Sequence, residues 1–215
     1  MTFQTMLSTM ATGMLRTCGI FVLTLIGSLP LGLLICFART SKIRPLSAVT
    51  KAFIAIIRGT PLMLQLLVVY FGPFYLFEIN IKGWRFPAII VGFIVNYAAY
   101  FAEIYRGGIE SMPVGQYEAA QVLGYTKSQT FMRIILPQVV KRILPSVTNE
   151  MITLVKDTSM AFTLAYQEVF SLAKQISSSQ TSFMPFLIAG VFYFIANYAV
   201  AFGMERVEKS MQYYR

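Results

Sequence analysis

The chain has 215 residues, 56% of them hydrophobic and 13% charged, with a mean hydropathy of +0.63 and a formal net charge of +9. These values lie outside the range of soluble globular domains and define an integral membrane protein. Basic residues spread between apolar runs, not clustered on one soluble face, argue against nucleic-acid binding and suit loops at an anionic leaflet.

Crossing a hydrocarbon core about 30 Å thick takes roughly 20 apolar residues in a helix. The first such run lies between Arg16 and Arg39 and contains both cysteines, Cys18 and Cys36, which read as small apolar residues and not as a disulfide pair. No basic segment precedes it, so the span is expected to be retained and not cleaved as a signal peptide. The second run, between Lys51 and Glu78, carries one charge, Arg58, within Arg58-Gly59-Thr60-Pro61. Pro61 removes a backbone hydrogen bond and Gly59 loosens the turn before it, which is compatible with a hinge at Arg58, Gly59 and Pro61 or with a static kink.

The third run covers residues 86–102 and extends past Glu103 to residue 105. The fourth, over 138–155, is weaker because it carries Lys141, Arg142, Glu150 and Pro145, whereas the fifth, over 183–204, has no charge. Between these two, residues 160–175 are apolar but short and read as an external or re-entrant helix containing Glu168. The run SSSQTS at 177–182 suits an exposed turn. Trp84, Phe86, Tyr213 and Tyr214 are expected to anchor at the headgroups, and Tyr70, Phe71, Phe74, Tyr75 and Phe77 to pack.

Five spans put the termini on opposite sides of the membrane. Arg39, Lys42, Arg44, Lys51, Arg106, Lys127, Arg133, Lys141, Arg142, Arg206, Lys209 and Arg215 fall on one side, against Lys82, Arg85, Lys156 and Lys174 on the other. That bias predicts an external N-terminus and a cytoplasmic C-terminus. The chain has no histidine, which removes the commonest general base and transition-metal ligand, and it has no P-loop, nucleophile elbow or zincin motif. An enzyme has little to work with here.

Ionisable side chains at membrane depth mark a pathway or a structural pair. Asn96, Tyr100 and Glu103 recur at i, i+4 and i+7 and share one helical face. Glu103 could hold an ammonium or guanidinium and Asn96 a carboxylate; alternatively Glu103 pairs with Arg58 or Arg106 and fixes packing. Lys156, Asp157, Thr158 and Ser159 offer both signs of charge and two hydroxyls suited to a zwitterion. The other reading of that run is a cap on the next helix, with Asp157 and Ser159 bonding backbone amides.

The cytoplasmic stretch GQYEAAQVLGYTKSQTFMRIILP, residues 115–137, reads as two short helices. The first runs over 116–123 and stops at Gly124, a residue free to adopt the left-handed conformation. The second is capped by Ser128 and carries Phe131, Ile134 and Ile135 toward Pro137. The residues alone leave open an interfacial helix without a partner or a docking surface.

Glu118-Ala119-Ala120, followed by Gly124, Ile134 and Leu136-Pro137 at the family's spacing, resembles the EAA loop of permease subunits of bacterial ABC importers. RGTPLMLQ at 58–65, AYFAEIYRGGI at 99–109, GQYEAA at 115–120, LPQ at 136–138 and KDTS at 156–159 resemble the permeases for polar amino acids, in their order and spacing, over most of the chain. The resemblance implies an all-α integral membrane protein of the type I ABC importer permease fold, with residues 1–215 as one transmembrane permease domain and a cytoplasmic coupling loop at about 107–137. It implies an ATPase-coupling role for Glu118, Ala119, Ala120 and Gly124, whose helix would dock into a cytoplasmic ATPase subunit. The implied partners are two ATPase copies that bind ATP and Mg2+, a second identical or related permease, an extracytoplasmic amino-acid-binding protein and the lipid of a bacterial inner membrane. No cofactor is expected in this chain. The implied function is uptake of polar amino acids by alternating access, either cationic ones such as arginine, lysine or histidine, or glutamine and glutamate. A secondary transporter or channel subunit for small polar solutes is the other reading.

Overall fold

The computed structural model describes residues 2–211; Tyr213, Tyr214 and Arg215, placed above at the cytoplasmic face, lie outside them. Thr2 caps the first helix, α1 (Phe3–Arg39), by accepting the Thr5 N–H at 3.3 Å. At 37 residues α1 is about 55 Å long, much longer than the run between Arg16 and Arg39. No charged residue or proline lies before Arg16 among the described residues, and the helix continues back to Thr2.

One stripe of α1 is buried: Gly13, Thr17, Ile20, Thr24, Ser28, Gly32 and Cys36, spaced three or four residues apart. It packs mainly against α4 (Arg85–Glu110). Small residues let two helix backbones approach closely, and in lipid such contact replaces the hydrophobic effect as the source of association. A Cβ on Gly32 would lie 2.9 Å from Phe101 Cβ and 3.1 Å from the Ala98 carbonyl oxygen. α4 buries Ile89, Phe93, Tyr97 and Phe101 at successive i+4 positions, forming the centre of the core with Ile20, Leu66, Leu154 and Leu164.

The expected second span is two helices, α2 (Arg44–Gly59) and α3 (Leu62–Phe77), which meet at 110°. The cause is local. Pro61 forces the preceding residue out of the helical region, and Thr60 is extended at φ −120° and ψ 146°. Gln65 then covers the broken end, its Nε2 donating to the Ile57 carbonyl at 2.7 Å and to Thr60 O and Oγ1 at 3.1 and 2.9 Å. The aromatic residues Phe74, Tyr75 and Phe77 at the end of α3 lie on the surface instead of in the core, with Tyr75 against the rings of Phe71 and Phe74.

After α4 come α5 (Val114–Val122) and α6 (Lys127–Gln129), then a π-helical turn over Thr130–Ile135 that leads into α7 (Leu136–Asp157). A proline ring crowds the carbonyl four residues before it, so Pro137 bears on Arg133, and the wider π turn accommodates the ring. Thr158–Leu164 continue as a 3-10 segment, followed by α8 (Val169–Gln180) and α9 (Met184–Ser210). The apolar stretch 160–175 is therefore part 3-10 turn and part helix, and the serine run at 177–182 ends α8 at Thr181, whose φ is 48°.

Among the described residues, α1, α4 and α9 are long and apolar enough to cross a membrane, and the bent α2–α3 pair adds a fourth candidate if it crosses as one unit. At 22 residues α7 has the length to cross but carries Lys141, Arg142, Glu150, Lys156 and Asp157.

Candidate coupling helix and polar pathway

The α5 helix follows α4 after Ser111, Met112 and Pro113, with Pro113 as its N-cap residue. It ends where Gly124 takes φ +79°, with the Gly124 and Tyr125 N–H groups returning to Gln121 O and Ala120 O at 3.0 Å each. The next helix is capped at Thr126, two residues before the expected Ser128. Thr126 Oγ1 accepts the Gln129 N–H at 3.3 Å, and Gln129 Oε1 accepts the Thr126 N–H at 2.9 Å, a reciprocal box that Ser128 could not form with its own third neighbour. Ala120 is buried, and α5 rests on the π turn. Gln138 of α7 reaches Gln116 at 3.2 Å. Glu118 and Ala119 are exposed, as are Val114, Val122 and Leu123 at 69%, 87% and 72%. The loop thus presents an apolar, outward surface on a short helix whose C-terminal end is closed at Gly124.

At the C-terminal half of α4, Glu103 is held by Arg106, whose Nη2 lies 2.6 Å from Oε2, with Arg39 of α1 4.0 Å from Oε1. Arg106 also pairs with Glu110. Arg58 does not reach Glu103 as an ion pair; its guanidinium lies over the Tyr100 ring, 5.1 Å from the centroid. Asn96, 5% exposed, donates its amide to Gln65 Oε1 at 2.9 Å. The shared face of Asn96, Tyr100 and Glu103 therefore faces three different partners: the α2–α3 break, Arg58 at the end of α2, and the Arg39–Arg106 pair.

The run at 156–159 turns its hydroxyls the opposite way from the cap that is its other reading. Thr158 Oγ1 donates to Val155 O at 2.6 Å and Ser159 Oγ to Lys156 O at 2.8 Å, so both close the end of α7. Asp157 Oδ2 accepts from the Tyr97 hydroxyl at 2.8 Å, joining α7 to the centre of α4, while Lys156 is exposed. Glu168 is fully buried and caps α8, accepting from the Phe170 and Ser171 amides at 2.7 and 2.6 Å and from Tyr193 of α9 at 3.0 Å.

Gln65, Tyr97 and Glu150 are among the residues of this network that lie outside the set that the sequence suggests. Glu150 lies on α7 within electrostatic reach of both Arg58 and Asp157. Its signal is an acid inside an apolar run, which by itself reads only as an interruption of the span. Together Arg58, Tyr100, Glu150 and Asp157 place both signs of charge and an aromatic face on α2, α4 and α7, a set that can receive a small zwitterion. Among the described residues no group of three metal-ligating side chains occurs.

An all-helical chain with this polar network inside apolar helices, and a capped helix turned outward between two of them, belongs to the class of membrane transport subunits. It is a member of the family of binding-protein-dependent transport system inner membrane components, whose model matches residues 28–213. It is 34% identical over 205 residues to the L-cystine transport system permease protein TcyB of Bacillus subtilis (strain 168), covering 94% of this chain and 86% of that one. It is 33% identical over 201 residues to the arginine transport system permease protein ArtQ of the same organism, covering 93% and 91%. A crystal structure of an amino acid ABC transporter with histidines superposes with a TM-score of 0.87 at 31% identity, over 98% of this chain and 99% of that one. The inward-facing MetNI methionine ABC transporter, at 20% identity, has the same fold with a TM-score of 0.76 over 98% and 99%. The fold is that of type I ABC importer permeases.

Proposed function

We propose that this chain is the membrane-spanning subunit of an ATP-driven importer for polar amino acids, the class of solute for which its relatives are named. The observation that carries the coupling part is α5: exposed apolar side chains around Glu118 and Ala119, on a helix terminated by Gly124, form a ready surface for a cytoplasmic ATPase. Ala120 faces inward and holds the helix to the π turn. Five crossings follow if α1, the α2–α3 pair, α4, α7 and α9 each traverse the bilayer, with the N-terminus outside. Arg39 at the end of α1, Arg106 near the end of α4, and Arg206 and Lys209 near the end of α9 then lie toward the cytoplasmic leaflet of a bacterial inner membrane.

In this reading residues 1–215 form one permease domain with a coupling loop at about 107–137. Two ATPase copies bind ATP and Mg2+, a second permease completes the pathway, and an extracytoplasmic binding protein delivers the solute. ATP-driven closure of the ATPases moves α5, and the motion passes through Ser111 and the π turn to α4 and α7. The break at Arg58-Gly59-Thr60-Pro61 is where α2 and α3 change angle. Glu150 and Asp157 receive the amino acid's cationic groups and Arg58 its carboxylate, with Tyr100, Lys156, Thr158 and Ser159 around them. Glu103 and Asn96, both already paired, hold this wall in place.

Uptake by the assembled transporter in proteoliposomes, against a panel of amino acids, tests the assignment. A hydrogen bond to a charged group contributes about 1.5–3 kcal/mol. Asp157→Asn should therefore raise the half-saturating solute concentration by about tenfold or more, with assembly intact. Unchanged uptake kinetics would make Asp157 a packing residue alone.

A further inference from the structure

A cleft of about 1030 Å³ opens at the N-terminal end of α7, apart from the polar pathway. Its cationic wall is Arg133, Lys141 and Arg142, its apolar wall includes Leu136, Val140 and Met211, and no acidic residue lines it among the described residues. Arg142 is held in place, since its Nη1 donates to Ser111 O at 2.5 Å and to Ser111 Oγ at 3.0 Å. Arg133 lies exposed on the π turn.

Cations beside an apolar wall, at the end of a helix with the length to cross a bilayer, match a phosphate headgroup above the first methylenes of an acyl chain. A free phosphate or nucleotide would gain nothing from Leu136 and Val140. A zwitterionic headgroup would bring its ammonium against Arg133 and Arg142, with no carboxylate among the described lining residues to receive it. We propose that this cleft binds one anionic phospholipid, its glycerophosphate met by Arg133 and Arg142 and its acyl chain lying along Leu136 and Val140. The proposal rests on α7 crossing the bilayer but not on which solute is carried.

Native mass spectrometry of the full chain in detergent, offered phosphatidylglycerol and phosphatidylcholine with the same acyl chains, tests it. One phosphatidylglycerol should be retained in preference. At about 1 kcal/mol for each basic residue near a headgroup, Arg133→Gln with Arg142→Gln should weaken retention about thirtyfold. Arg44→Gln, an exposed arginine at the start of α2, should have no effect. Equal retention of the two lipids, or undiminished phosphatidylglycerol on the double variant, overturns the proposal, as does glycerol 3-phosphate binding as tightly as the lipid. If the double variant does not purify, hydrogen exchange on the unaltered protein decides: protection of residues 133–142 by phosphatidylglycerol alone supports the site. Protection that arises only in the assembled transporter, whatever the lipid, assigns the cleft to a protein partner and overturns it. None of these readouts involves transport, so failure here leaves the uptake assignment standing.

Discussion

Gly32 sits where α1 passes closest to the α4 backbone, and its missing side chain is what permits the contact. Overfilling such a contact costs about 1–3 kcal/mol. For a chain of this size Gly32→Leu should lower the unfolding midpoint in detergent by roughly 2–4 °C for each kcal/mol. Gly19, on the same helix, is the control: a Cβ there would meet no atom within 4 Å, and Gly19→Leu should not lower the midpoint. Equal effects of the two would mean that helix propensity, not packing, is being measured. At this scale the sequence displays the residue types but not their pairing. Tyr97 with Asp157 and Asn96 with Gln65 join positions far apart in the chain, so no local pattern could reveal them. The Glu103–Arg106 pair is legible because i, i+3 neighbours meet on any helix.

Among the elements, α4 and α9 lie close to their charge-poor runs, α7 to the weaker charged run over 138–155, and α5 to the stop at Gly124. The run between Lys51 and Glu78 departs most, because hydropathy reports composition and carries no information about direction. Pro61 reads as a kink within one helix, whereas the extended Thr60 separates two. Gln65 stabilises that corner by satisfying three oxygens at the end of α2 while accepting from Asn96. Gln65→Ala should loosen the angle between α2 and α3. Spin labels on the exposed Ile56 and Val68 would then give a broader distance distribution, and an unchanged width would assign the corner to Pro61 alone.

For the whole molecule, the proposed coupling has motion enter at α5 and reach the polar wall through α4 and α7. The geometry suits this, because α5 is joined to α4 by a three-residue link, rests on the π turn that begins α7, and is further tied to α7 through Gln116 and Gln138. Gly124 holds its end at a φ of +79°, where a β-branched residue is strained, so Gly124→Val should disturb the helix end without touching the polar wall. The most direct measurement is the ratio of ATP hydrolysed to amino acid taken up by the reconstituted transporter carrying Glu118→Trp. Coupling through α5 predicts normal insertion and continued ATP hydrolysis with uptake lost, so that the ratio rises sharply. A ratio equal to that of the unaltered protein would contradict it.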